Sequence, residues 1–320
     1  MNPEHDDDKP VIDARIRSFT RRGNRLKPRL AEVWEQRAGV VLDVPMETET
    51  GVAGGTRLDL DAVYADTAGA GACPVTADVS SARLVVEIGC GAGEQIVHAA
   101  LADPDTRFLG LEVWQPGLAR TLARVLDEGA TNVRLLGVDA QQALPILLPA
   151  GSVDELWTFF PDPWRKSKHH KRRIVSAEFA SVVAGLLAPG GIWRLATDWQ
   201  NYADQMIAVL DAHPAFDLTV EPERWKGRTL TRFERRGVEE GRPVTDLTAV
   251  RRDVGVRGVE ATAGVVGTEG VVGTEGVVGR EGVEATAGVE GPAGVEADGR
   301  STGLRDAGGT TDVEQRASDG

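Results

Sequence analysis

Four carboxylates and one run of cations are the residues of this chain best placed to do chemistry. Glu87 stands just ahead of a glycine cluster, EIGCGAG, with glycines at 89, 91 and 93; Glu112 closes the apolar stretch LGLEV and Asp139 closes LLGVDA. Closely spaced glycines let the backbone turn sharply and approach a ligand. A dinucleotide fingerprint, G-x-G-x-x-G, would need glycine at 94, where the chain has Glu94, so the fit to NAD is poor. The fourth acid, Asp162, opens FFPDPWRKSKHHKRRI, where Arg165, Lys166, Lys168, Lys171, Arg172 and Arg173 crowd behind it. Clustered cations ahead of a helix oppose its dipole, so they need a reason to be there, and phosphate is the chemical one.

The elements that position these residues read as an alternation. RLVVEIG, RFLGLEV, VRLLGVDA, ELWTFF and IWRLATD are short apolar runs; EQIVHAALA, GLARTLARVLDEG, QQALPILL, RRIVSAEFASVVAGLLAPGG and NYADQMIAVLDAH carry helical spacing between and after them. Strand alternating with helix predicts an α/β fold with a mostly parallel sheet covered by helices on both faces. FDLTVE and LTRFERRG, with no helix between them, are expected to pair antiparallel at the sheet edge. Ligands gather at the carboxyl ends of strands in such a sheet, which is where Glu87, Glu112, Asp139 and Asp162 fall. Pro161 and Pro163 bar strand and helix alike around Asp162. Trp114, Trp157 and Trp193, in or beside apolar runs, are expected in the core; Trp164 is read equally as a core residue or as a platform for a base.

The chain has 320 residues, 41% of them hydrophobic and 27% charged, with a formal net charge of -13. A local basic patch still serves an acidic protein, because charges act strongly only within about 8 Å at physiological salt. Cys73 and Cys90 are expected to be free thiols, and the five histidines do not cluster at ligand spacing, so no metal is expected. No apolar run approaches the ~20 residues of a membrane span, and MNPEHDDDKP lacks the features of a secretory signal, so a cytoplasmic protein is expected. The domain reading is a basic arm and helix at 1–45, a flexible Gly/Ala/Thr/Asp-rich loop insertion at 46–81, the α/β domain at 82–253, and a tail at 254–320. VVGTEG recurs in that tail, which offers too little apolar surface to offset ordering and is expected to be disordered.

The G-x-G-x-G spacing behind Glu87 resembles the S-adenosylmethionine loop of Rossmann-like methyltransferases. That cofactor has no pyrophosphate and carries an ammonium group that a carboxylate can receive. With PDPWRKSKHHKRR, GLEV, LATDW and LTRFERRG, the chain resembles the bacterial tRNA (guanine-N7-)-methyltransferase family over roughly residues 12–237, residues 46–81 excepted. The resemblance implies S-adenosylmethionine as cofactor, contacted by Glu87, Gly89, Gly91, Gly93, Glu112, Asp139 and Asp162, with Glu112 on the ribose hydroxyls, Asp139 on the adenine amino group and Asp162 also catalytic. It implies substrate contacts by Lys166, Asp198, Thr231, Arg232, Phe233 and Glu234, and RNA contacts by Lys168, His169, His170, Lys171, Arg172 and Arg173. IRSFTRRGNR is similar to the family's basic entry arm.

The implied reaction forms 7-methylguanosine in tRNA, at position 46 of the variable loop, with no membrane and no obligate protein partner. Lys168 stands where the family has arginine, losing planar bidentate geometry, and Arg232 stands for the lysine of the family motif. Guanine N7 has a lone pair and no proton, so the nucleophile needs no base. The Asp162 carboxylate would favour the developing cation or accept from the guanine N1–H and N2 edge, with Asp198 and Glu234 as candidates for the same edge; a general-base role is the other reading. The competing functions are a methyltransferase for another RNA or a small molecule, and a non-catalytic RNA-binding protein.

Overall fold

The computed structural model describes residues 25–65 and 82–253. The repetitive tail, residues 66–81 of the predicted loop, and the basic arm apart from Arg25 lie outside the described residues.

The strands are β1 Leu84–Ile88, β2 Arg107–Leu111, β3 Val133–Leu136, β4 Val153–Phe159, β5 Leu187–Thr197, β6 Phe216–Val220 and β7 Thr245–Arg251. The helices are α1 Pro28–Trp34, α2 Leu60–Ala65, α3 Glu94–Ala102, α4 Gln115–Glu128, α5 Ala140–Leu147, α6 Ala177–Leu186, α7 Gln200–Asp211 and α8 Arg232–Glu239, with a 3-10 helix at Ser167–Arg172. The strands form one sheet in the order β3-β2-β1-β4-β5-β7-β6. β3, β2, β1, β4 and β5 pair in parallel, while β7 runs antiparallel between β5 and β6. This is the Rossmann-like α/β sheet that the alternation predicts. No helix among the described residues is long and apolar enough to cross a membrane.

Burial on both faces explains why the strands read as continuous apolar runs. On one face Ile96 of α3 and Leu122 of α4 pack with Val85, Phe108 and Leu135; on the other Leu144 of α5, Val183 of α6 and Met206 of α7 pack with Val86, Leu109 and Trp193. Trp157 and Trp193 are core residues, as expected, and the Trp193 indole nitrogen donates to Thr158 Oγ1 at 3.0 Å.

Three readings of the elements change. LTRFERRG is not a strand: Thr231 caps α8, its hydroxyl accepting from the Glu234 N–H at 3.2 Å, and the strand beside β6 is β7. Thr followed three residues later by Glu is a helix-start signal, and it overrides the β-branched residue. The long helix predicted from Arg172 begins only at Ala177, where Ser176 accepts from the Phe179 N–H, and it stops at Leu186 where β5 begins.

The third change concerns residues 46–65, which are built into the domain rather than looped out. Val52 is buried in the core, the Asp139 N–H donates to Thr50 O at 2.9 Å, and the Leu58 N–H to Leu147 O at 2.9 Å. α2 lays Tyr64 under the sheet edge, its hydroxyl donating to Phe108 O at 2.7 Å and its ring flanked by the Arg107 and Arg134 guanidiniums. Burial pushes the Tyr64 hydroxyl pKa above its ordinary value. If this segment is part of the domain, Tyr64→Ala costs about 3 kcal/mol, as for truncation of a buried aromatic, and Tyr64→Phe about 1 kcal/mol for the lost hydrogen bond. Urea unfolding measures both; midpoints equal to wild type in both variants would return 46–65 to a solvated loop.

Candidate active site

The strand order reverses between β1 and β4, and the crevice at their carboxyl ends is where the predicted acids meet. From Ile88 the chain turns through Gly89, Gly91 and Gly93, all at positive φ, into α3. At Gly93 a side chain would be strained twice over, since φ is +74° and a Cβ would lie 2.7 Å from Thr121 Cγ2. Thr121 braces the loop from α4, donating to Gly91 O at 3.0 Å. Glu112, just past β2, holds it from the other side: one carboxylate oxygen accepts from the Gly91 N–H at 3.0 Å, the other from the Trp114 N–H at 2.8 Å. Each oxygen keeps a second lone pair for a further donor. Burial raises the Glu112 pKa.

A cavity of about 340 Å³ opens here, bounded by Gly89 after β1, Glu112 to Trp114 after β2, Asp139 to Gln141 after β3 and Phe159 to Asp162 on β4 and beyond. Asp139 both lines it and caps α5, accepting from the Gln141 N–H at 2.9 Å; cap and ligand acceptor are compatible on one carboxylate. Val138, Ile174 and Leu111 supply apolar wall. Glu87 is buried in β1 and does not line the cavity. Burial first, and the neighbouring Glu112 charge second, raise its pKa to about 8, and its Oε2 makes no hydrogen bond. A buried carboxylate beside a second one, with an oxygen unsatisfied, suits a cationic ligand group. The site therefore fits S-adenosylmethionine: an acceptor set for ribose and adenine, a close glycine loop, and a local demand for positive charge.

β4 delivers Asp162 on a strained loop. Phe160 and Trp164, at φ 51° and 44°, bracket Pro161-Asp162-Pro163, and bulky residues there cost energy that the surroundings must offset. The Phe160 N–H extends the pairing to Ala196 O at 2.7 Å. At the far end the Arg173 Nε donates to Pro163 O at 2.9 Å.

That contact corrects the expectation for Arg173. It is only 2% exposed, its Nη1 and Nη2 donate to Asn201 and Gln205, and it stacks on Tyr202, so it props the loop and is turned away from solvent. Arg172 stacks on Trp164 and lines the cavity. His169 meets the Trp164 ring edge-on, with its pKa lowered by partial desolvation and by Arg172, Lys168 and Lys166. Arg165, Lys166, Lys168 and Lys171 are exposed, and His170 is half-buried. The 3-10 turn, with three residues per turn, is what sends successive cations to different sides.

Of residues 231–234, only Phe233 lines the cavity, facing Phe160 at 5.5 Å between ring centroids. Thr231 is the α8 cap. The Arg232 N–H donates to Glu94. Glu234 turns inward, 1% exposed, and pairs with Arg224 and Arg228. Asp198 pairs with Arg242 at 2.7 Å. Trp114 departs from its expected place: it is half-buried and lines the cavity, because β2 ends three residues before it. Phe160 escaped notice, since a left-handed Phe has no local sequence signal.

The Glu87 shift has a stability consequence. Its folded pKa, about 8 against an ordinary 4.5, means that the native state binds the proton more tightly than the unfolded chain. The associated stability is present in full below the ordinary value and is lost as pH rises through the folded one. Glu87→Gln lacks that loss. Wild type should fall relative to the variant between the two ends of the window in urea unfolding, and parallel pH profiles would refute the assignment.

Comparisons with known proteins bear on the family. A family model described as "Putative methyltransferase" matches residues 81–247, a span that contains all the cavity-lining residues. The tRNA (guanine-N(7)-)-methyltransferase of Nocardioides sp. (strain ATCC BAA-499 / JS614) is 56% identical over 172 residues, 54% of this chain and 69% of the relative. That of Cutibacterium acnes is 42% identical over 238 residues, 72% of this chain and 81% of the relative. That of Bifidobacterium longum subsp. infantis is 38% identical over 264 residues, 73% and 88%. This chain belongs to the tRNA (guanine-N(7)-)-methyltransferase family.

Proposed function

We propose that the protein methylates N7 of a guanine in tRNA, with position 46 of the variable loop as the target that the family resemblance implies, and that it acts in the cytoplasm where its substrate is. S-adenosylmethionine, when bound, supplies a methyl group on a sulfonium, which the N7 lone pair takes up while the C–S electrons stay on sulfur. The observation that carries the reading is the convergence of Glu112, Asp139 and Asp162, from the ends of three different strands, on one cavity, with exposed cations immediately outside it.

Glu112 holds the ribose hydroxyls on the lone pairs that the loop N–H groups leave over. Asp139 accepts from the adenine amino group while capping α5. Glu87 favours the ammonium from behind the glycine loop. No base is needed to make the nucleophile, because N7 bears no proton. The Asp162 carboxylate opposes the positive charge that grows on the base and accepts from its N1–H and N2 edge. The strained loop holds it in place before the substrate arrives, which is how a positioned group lowers a barrier. Asp198 and Glu234 already serve arginines, and their contact with guanine would require exchanging those partners; Phe233 meets the base without any exchange. Lys166, Lys168 and Lys171 are the phosphate contacts, with His169 and His170 as donors beside them. Unstacking a tRNA base costs a few kcal/mol, which such contacts offset.

Two variants separate the roles. Replacing Lys166, Lys168 and Lys171 together by Ala should raise the tRNA Kd, flatten its dependence on log salt by about 0.9 per lost contact, and leave cofactor affinity alone. Asp162→Asn should retain much of the tRNA affinity and lose most of the turnover. Labelled methyl transfer to unmodified tRNA and filter binding across a salt series measure both. An unchanged salt slope in the triple variant would make the exposed cations a solvated face, and no transfer to tRNA by wild type would sink the function itself.

A further inference from the structure

Arg228 is buried at 1% exposure beneath the active-site mouth, and its contacts serve the two aromatic rings there. Its guanidinium lies 5.1 Å from the Phe160 ring centroid and 5.8 Å from that of Phe159. Nε and Nη2 donate to the two oxygens of Asp246 on β7, at 3.1 and 2.7 Å. Nη1 sits 2.6 Å from Glu234 Oε2 without aligning for a hydrogen bond. The backbone on either side is pinned by one buried side chain from α3: Gln95 donates to Gly227 O at 3.0 Å and accepts from the Thr229 N–H at 2.6 Å.

These contacts reach both sides of the cavity mouth. Phe160 begins the strained loop that carries Asp162, and Arg228 packs against its ring. Phe233 stands next in sequence to Glu234, whose carboxylate pairs with Arg228. The two rings, 5.5 Å from centroid to centroid, are therefore linked through one guanidinium that packs on the first and, together with Arg224, pairs with the carboxylate next to the second. An arginine suits this where lysine does not, because its plane can stack on a ring while its edge meets two carboxylates.

We infer that Arg228 is a positioning residue for methyl transfer: it fixes the Phe160–Phe233 pair as the surface on which the target base is seated against Asp162. This rests on the tRNA methylation proposed above. Arg228 touches neither cavity nor substrate, so its effect must pass through Phe160 and Phe233, and the effects of changing Arg228 and Phe160 cannot be independent.

The test compares wild type, Arg228→Lys, Phe160→Leu and the double variant, in kcat for labelled methyl transfer to tRNA and in S-adenosylmethionine affinity by calorimetry. Arg228→Lys keeps the charge and should lower kcat about tenfold or more, in line with the cost of small misplacements near a reacting group, with cofactor affinity within about twofold. Phe160→Leu should lower kcat likewise, and the double variant should lose little beyond either single one, as coupled neighbours do. Full kcat in Arg228→Lys overturns the inference, and so do losses that simply multiply in the double variant. If Arg228→Lys does not melt cooperatively, Phe160→Leu and Phe233→Leu decide: reduced kcat with intact cofactor affinity supports the inference, and unchanged kcat in both overturns it. Wild type that methylates no tRNA marks failure of the functional reading instead, which the variants do not affect.

Discussion

Parallel strands joined through helices can cross over with only one hand, and that constraint creates the site. Going outward from β1 through β2 and β3 on one side and from β4 to β5 on the other, the connecting helices must diverge at the β1/β4 junction. The carboxyl ends of the strands there are left uncovered, and the residues that follow them face a common crevice. Glu112, Asp139 and Asp162 have no sequence proximity; one rule of topology brings them together. The glycine loop adds to this by letting Glu112 bind its backbone, so the acid proposed to serve the ribose also shapes the loop beside the cavity.

The molecule keeps several charges out of water, and their arrangement separates structural from chemical duty. Arg228, Glu234 and Asp246 form a buried set of one cation and two carboxylates, and the exposed Arg224 pairs with Glu234 from the solvent side. Such sets add little net stability over apolar packing, yet removing one member strands its partner at a cost of about 3–5 kcal/mol. Their value is geometric, since each carboxylate comes from a different element. Glu87 is the opposite case: a buried acid with an unsatisfied oxygen beside another acid has a raised pKa, and a cationic ligand would relieve it. Arg173 shows the third use, where a cation donates from all three of its nitrogens to carbonyl and amide oxygens and so holds a strained loop in place.

The acidic chain and its basic patch are reconciled by distance. Counterions screen the bulk of the net charge beyond about 8 Å at physiological salt, so the local field of this strip is set mainly by Arg165, Lys166, Lys168 and Lys171, which are exposed. Arg165 also packs on Trp199, tying the patch to the start of α7.

The sequence by itself was enough for the sheet, the helices on its faces and the acids at the strand ends, because apolar periodicity is local and the crevice follows from topology. It was enough, too, for the family, because PDPWRKSKHHKRR and LTRFERRG carry specific residues at fixed spacing. Tertiary structure alone decided which adjacent cations are buried and which face solvent: Arg173 is sunk against Asn201 and Gln205, while Lys171, two residues earlier, is exposed. It decided that Glu234 pairs with Arg228, that Tyr64 reaches Phe108 and so makes 46–65 part of the domain, and that Trp114 faces the cavity. The physical reason is common to all four. A side chain's partner is set by the path of the folded chain around it, whether that partner lies tens of residues away, as Phe108 does from Tyr64, or six, as Arg228 does from Glu234, and no local pattern of hydrophobicity or charge encodes which of two neighbouring residues will meet it.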